Sequence, residues 1–199
     1  MTDDFVVFNI RTLLNDTEFG ENALKDILSD FSCQLNSDVD HFLKNNSIEF
    51  TKKNQSVTYL VFNNSSELLG YFTIAIKPIS IKCDILSSTM YRKISRVAKY
   101  DEDDKSYSLS AYLIAQLGKN YNLSSEKIID GSQLLNLALN KVKSIQTEVG
   151  GMVVFLEAEP KEKLMNFYKV QNKFVDFETR HSSPSENGEI ELIQLLRIL

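Results

Sequence analysis

Between Ala111 and Ala138 the chain reads AYLIAQLGKNYNLSSEKIIDGSQLLNLA, an apolar run, a short polar stretch and the opening turns of an apolar-periodic segment. Ala111 to Leu117 is interrupted only by Gln116 and closed by Gly118, too apolar for a strand with one wet face, so it predicts a strand buried on both faces of a sheet and ended at that glycine. From Asp130 onward apolar residues fall at Leu134, Leu135, Ala138, Val142, Ile145 and Val149, a three-four spacing that predicts a helix packed on that sheet. Between them, Ser124, Ser125, Asp130, Gly131 and Ser132 place small residues where the helix begins. Unpaired backbone N–H groups and the positive end of the helix dipole favour an anion at such a point, which outlines a phosphate site. Ordinary capping of a strand-to-helix connection is the alternative.

Taken in order, Phe5 to Leu13 (FVVFNIRTL) is β-branched and aromatic and predicts a first strand, ended by Asn15 and Asp16. Glu21 to Phe31 carries Leu24, Ile27, Leu28 and Phe31 on one face and predicts a helix. A second helix is expected from Ser37, as N-cap, to about Lys53, with Val39, Phe42, Leu43 and Phe50 inward and His41 as a surface or half-buried residue rather than a ligand or base. Val57 to Phe62 and Leu68 to Ile76 predict a hairpin, with Pro78 ending it. The connection from Ile79 to Lys105 predicts a helix around Ser87 to Ala98. It carries Lys82, Arg92, Lys93, Arg96 and Lys99 ahead of the acidic run Asp101 to Asp104, and reads either as a substrate-facing lid or as a solvated helix and loop. Gly150 and Gly151 end the long helix, and Met152 to Ala158 (MVVFLEA) completes a strand-helix-strand crossover. Pro160 opens a further helix, and Phe174 to Thr179 with Glu189 to Leu199 predicts a terminal hairpin.

A chain of 199 residues, 43% hydrophobic and 25% charged, has the composition of one globular domain with a sizeable core. Cys33 and Cys83 have neither disulfide-scaffold nor metal-ligand spacing and no signal peptide precedes Phe5, so a reduced, cytoplasmic setting is expected, with no metal and no membrane partner. The net charge of −5 argues against nonspecific nucleic-acid binding by the whole surface while leaving local basic patches open.

The order of elements, the central strand, loop and helix, and the segment Asn166, Phe167, Tyr168, Asn172, Phe174 resemble the GNAT family of N-acetyltransferases. The front half, FSCQLNSDVDHFLKNNSIEF with SVTYLVF and LLGYFTIAI, is similar to the subgroup that includes bacterial toxins acetylating aminoacyl-tRNA. The family loop reads Arg or Gln, two residues, Gly, one residue, then Gly or Ala. With Gly131 as the last small residue, Ile129 stands at the first glycine and Glu126 at the basic or amide position. Asn172 stands for the family glycine, where asparagine's tolerance of the left-handed conformation would serve, and Phe174 comes one place late.

The resemblance implies a single α/β GNAT-like domain over residues 1–199, a mixed central sheet flanked by helices, and transfer of an acetyl group from acetyl-CoA to a primary amine. It places the cofactor along the backbone of Ala115, Gln116 and Leu117 and against Ser125, Lys127, Ile129, Asp130, Gly131 and Ser132, with Asn166 as a further contact. Tyr168 would protonate the departing thiolate, and core packing beside Phe167 is its alternative role. Glu157, Glu159 and a water-mediated path are open as the base, with Glu157 the nominated residue. The acidic chain favours a small-molecule or protein amine as acceptor. Aminoacyl-tRNA, a CoA-binding or interaction module without catalysis, and a homodimer are left open.

Overall fold

The computed structural model describes residues 5–122, 129–181 and 189–199. Their strands, numbered in chain order, are β1 (Val6–Asn9), β2 (Val57–Phe62), β3 (Leu68–Lys82), β4 (Lys99–Asp101), β5 (Ser106–Lys119), β6 (Val153–Ala158), β7 (Val175–His181) and β8 (Glu191–Ile198). They hydrogen-bond in the order β1-β2-β3-β5-β6-β8-β7, with β4 paired to β5 off this path. The pairing of β5 with β6 is parallel and that of β1 with β2, β2 with β3, β6 with β8 and β7 with β8 antiparallel, which is the mixed sheet expected. The helices are α1 (Ile10–Asn15), α2 (Gly20–Ser29), α3 (Ser37–His41), α4 (Ser47–Lys52), α5 (Ser88–Ile94), α6 (Gly131–Val149) and α7 (Glu162–Met165). The described residues group into two compact units, one from 1–75 and 114–142, the other from 76–113 and 143–199, and β3, β5 and α6 each run from one into the other. No helix among the described residues is long and apolar enough to cross a membrane.

In the first unit the β-branched run at the amino terminus is only half strand. The Asn9 side chain accepts the Arg11 N–H at 2.9 Å and so caps α1, which turns Ile10 into the core with Leu13 and Leu14 against it. The Arg11 guanidinium then donates to the Asn54 side chain and to the Thr51 carbonyl at 2.7 and 3.0 Å, occupying a carbonyl at the end of α4. Asn36, rather than Ser37, caps α3 by accepting the N–H groups of Asp38 and Val39. Between α3 and α4 lies a wide π turn, Phe42–Asn46, in which the Ser47 N–H reaches back to Phe42 and the Ser47 hydroxyl donates to the Leu43 carbonyl at 2.6 Å. The extra residue rotates the inward face, so Ser47 and Thr51 are buried and Phe50, expected inside, is 38% exposed. His41 is on the surface, its ring beside Asn45, as expected.

Gly118 does not end the central strand, which continues to Lys119. A Cβ there would lie 2.5 Å from Val39 and 2.7 Å from the Tyr71 ring, while one on Gly70 would lie 2.6 Å from the Gly118 carbonyl oxygen. Close packing, not a turn, is what excludes a side chain at both positions. The Tyr71 hydroxyl donates to the Val39 carbonyl at 2.6 Å, and burial pushes this phenol far above its ordinary range.

In the second unit β3 passes straight through Pro78 to Lys82, contrary to the expected stop. Its pairing with β2 ends at Ile74, so the proline's missing N–H falls beyond the last β2 partner. α5, capped by the Ser87 hydroxyl, is shorter than expected and buries Ile94, with Met90 against the same core of Ile79, Ile81, Tyr107 and Phe155. Gly150 and Gly151, at φ +78° and +93°, end α6 as expected, although Val149 is 66% exposed instead of inward. The Tyr112 hydroxyl donates to the Gly150 carbonyl, and a Cβ on Gly151 would sit 2.8 Å from the Tyr112 ring.

Candidate active site

The proposed donor strand and helix start lie in the first unit. Ala115, Gln116 and Leu117 are half-buried residues of β5, and Ile129 is buried just before α6. Ser125 and Lys127, with Ser124 and Glu126, lie outside the described residues. Asp130 and Gln133 form a reciprocal capping box: the Gln133 N–H donates to Asp130 Oδ1 at 2.7 Å and the Asp130 N–H to Gln133 Oε1 at 2.9 Å. The D-x-x-Q spacing was the signal for it. Asp130 therefore places its own carboxylate at the positive end of α6, leaving Gly131 and Ser132 as the first-turn residues whose N–H groups an α-helix does not itself pair.

The chemistry expected of Glu157 and Tyr168 lies in the second unit. The parallel pairing of β5 and β6 is confined to Tyr112 with Val154 and Leu113 with Phe155. Leu113 and Phe155, the last such pair, line a cavity of about 460 Å³ together with Glu157, Arg180, Gln194 and Lys77. The cavity thus stands where two parallel strands part at their carboxyl ends, the place at which open α/β sheets receive ligands. Glu157 lies two residues past Phe155 on β6. Its Oε1 accepts from Gln194 at 2.7 Å and its Oε2 from the Arg180 guanidinium at 2.7 Å, with the carboxylate side chain 19% exposed. Sequence reasoning missed both partners, which come from β8 and β7. Glu159, the other candidate base, pairs with Lys161 at 2.9 Å.

Pro160 lies two residues ahead of α7, whose N-cap is Lys161. α7 then opens into a second π turn, Asn166–Gln171, in which the Asn172 N–H and carboxamide both donate to the Phe167 carbonyl. Asn172 is at φ −109° and it is Lys173, at φ +58°, that takes the left-handed conformation directly before the buried Phe174. The wide turn absorbs the extra residue in this segment, so Lys173 rather than Asn172 does the work expected of the glycine. Asn166 is exposed at the start of that turn. Tyr168 is half-buried, its ring edge-on to Phe167 and Phe174 at centroid separations of 4.9 and 6.1 Å. Its hydroxyl makes no hydrogen bond with a described residue, and burial pushes its pKa up to about 12.

The acidic run forms a turn. Asp101 accepts the N–H groups of Asp103 and Asp104, Asp104 accepts from Lys82 at 2.6 Å, and no cluster that could hold a metal occurs among the described residues. Cys33 and Cys83 are free thiols.

The element order and the mixed sheet define the α/β GNAT-type fold. Solved structures that share it include AtaT complexed with acetyl-methionyl-tRNAfMet, at 19% identity and TM-score 0.63 over 98% of this chain and 95% of that one. A tyrosine-to-phenylalanine mutant of KacT matches at 18% identity and TM-score 0.63 over 98% and 94%. An AtaT mutant toxin bound to the carboxy terminus of the antitoxin AtaR and acetyl-CoA matches at 17% identity and TM-score 0.57 over 98% and 94%. No family model and no curated protein matches the sequence.

Proposed function

We propose that this protein transfers the acetyl group of acetyl-CoA to the amino group of an aminoacyl-tRNA. The observation that carries the reading is the fold itself, shared end to end with an AtaT structure holding acetyl-methionyl-tRNAfMet and with one holding acetyl-CoA. The acidic composition points instead to a small-molecule or protein amine, but charge summed over a chain says nothing about one local surface, and the acetylated tRNA in the neighbour supports the other acceptor.

In this reading the backbone of Ala115 to Leu117 aligns the pantetheine arm and the N–H groups of Gly131 and Ser132 bind the phosphates, with Ser125 and Lys127 proposed as further contacts. The acceptor nitrogen, neutral when it attacks, bonds to the thioester carbonyl carbon and the carbon–sulfur bond breaks. The sulfur electron pair takes the Tyr168 phenolic proton, and the nitrogen loses its proton to Glu157 directly or through water. A phenol at about 12 keeps its proton throughout the neutral range, and its hydroxyl makes no hydrogen bond with a described residue, so it is available as a donor. Arg180 and Gln194 each take one Glu157 oxygen, which fixes the carboxylate's orientation.

A second reading, CoA binding without turnover, draws on Asp130: a carboxylate already on the α6 dipole opposes the phosphates it would meet. The test is acetyl transfer from labelled acetyl-CoA to total aminoacyl-tRNA, a peptide amine and a polyamine, with calorimetry of acetyl-CoA alongside. Label on the α-amino group of aminoacyl-tRNA is expected. Binding heat without transfer to any acceptor would favour the second reading, and label only on peptide or polyamine would restore the small or protein amine.

A further inference from the structure

Lys25, Lys44, Lys52, Lys53, Lys82, Lys161 and Lys169 each form an ion pair, whereas Lys77, Lys105, Lys143, Lys163 and Lys173 have no ion-pair partner among the described residues and are scattered along the chain. Across α5 and β4 such cations are instead clustered in sequence. Arg92, Lys93, Arg96 and Lys99 are exposed and none has an ion-pair partner among the described residues, in a chain with 27 acidic side chains. The acids next in sequence do not neutralise them by contact. Asp101 holds turn amides and Asp104 holds Lys82, while Glu102 and Asp103 are exposed on the far side of β4 in sequence.

The same segment exposes aromatic rings. Tyr91 and Tyr100 are each 45% exposed, and both rest on the buried Tyr107, with centroids at 5.8 and 5.1 Å. A shared buried ring holds the two exposed ones in place, so little rotamer freedom is left to lose on contact. Cations near the end of a helix satisfy its dipole, which accounts for Arg92 and Lys93 but not for Arg96 and Lys99 beyond it, nor for the tyrosines.

We infer that the α5–β4 segment is a contact surface for RNA, with Arg92, Lys93, Arg96 and Lys99 on phosphates and Tyr91 and Tyr100 on base or sugar faces. Unpaired cations interleaved with fixed rings are the combination that tracks a nucleic-acid strand, whereas an acidic peptide would use the cations and leave the rings idle. The inference rests on the tRNA reading for its physiological partner, but it concerns binding and not transfer.

The experiment measures binding of uncharged tRNA to the whole chain over a range of potassium chloride, for the wild type, for a triple variant R92A, K93A and R96A, and for Y100A. Wild type should show a linear fall of log K with log salt. The triple variant should lower that slope by about 2 to 3 and weaken binding at low salt by at least about tenfold, since each lost phosphate contact removes nearly one unit of slope. Y100A should weaken binding by about tenfold with the slope unchanged, the signature of stacking rather than charge. No tRNA binding by the wild type, an unchanged slope in the triple variant, or equal affinity for tRNA and polyglutamate would each overturn the inference. Because the variants lie outside the proposed transfer machinery, tRNA binding that survives while acetyl transfer is absent in every protein would instead overturn the proposed function alone.

Discussion

Both units contain a wide π turn, and the two are used differently. Phe42–Asn46 sits in mid-helix between α3 and α4, with Leu43 fully buried and the Ser47 hydroxyl closing the turn from within. Asn166–Gln171 follows the short α7, buries no residue completely, is closed by the Asn172 carboxamide, and presents a half-buried phenol whose hydroxyl makes no hydrogen bond with a described residue. An extra residue in a helix costs regular hydrogen bonding. In the first case packing offsets that cost. In the second the packing is lighter, the Tyr168 ring resting edge-on against Phe167 and the buried Phe174, and the question the contrast poses is whether that turn serves the position of Tyr168.

The sharpest way to break this contrast is Tyr168→Phe. Acetyl transfer should fall by roughly 10²- to 10⁴-fold with acetyl-CoA affinity and melting temperature nearly unchanged, because the hydroxyl makes no hydrogen bond with a described residue. An unchanged rate in a stopped-flow or quench assay would make the second turn a packing device like the first.

Leu43→Ala should do the reverse. Its side chain is fully buried, so truncation should cost about 2 to 5 kcal/mol in denaturant unfolding while the rate per folded molecule stays near wild type. A smaller effect comes from Ser47→Ala, which removes the hydroxyl donated to Leu43 and should cost about 1 kcal/mol, read as a shift in denaturation midpoint at constant slope.

The smallest effect is a pH dependence. Burial raises the Tyr168 pKa from 10.0 to about 12, so the folded protein keeps this proton longer than the unfolded chain does. Unfolding then releases a proton between those values, and stability should decline as pH rises from 10.0 toward about 12. Tyr168→Phe should flatten that part of the stability curve; an identical curve in the variant would place the phenol in water.

Periodicity exposed the parts of the fold that repeat. The buried central strand and the inward row Leu134, Leu135, Ala138 and Val142 of α6 were legible because burial on a sheet leaves a pattern in sequence. Side-chain hydrogen bonds to nearby backbone were not: Asn9 turns a β-branched run into a helix, and Ser47 helps widen one, each through one polar atom that periodicity does not weigh. Pro78 misled because a proline stops a strand only where its N–H is needed. At the candidate site, Tyr168 was reachable through the Phe-Tyr pair, whereas the Glu157 partners Arg180 and Gln194 depend on the register of β8 with β6 and with β7.

Asn120, at the exit of β5, accepts the N–H groups of Ser32 and Asn122 on its side-chain oxygen and donates to the Leu68 carbonyl. The Asp130 and Gln133 box closes the entry to α6 in the same self-contained way. The exit of β5 and the entry to α6 are therefore each fastened by their own side chains, so loss of one set of hydrogen bonds should leave the other in place. Ile129, just ahead of the box, is 1% exposed, so a glycine there would empty part of the core.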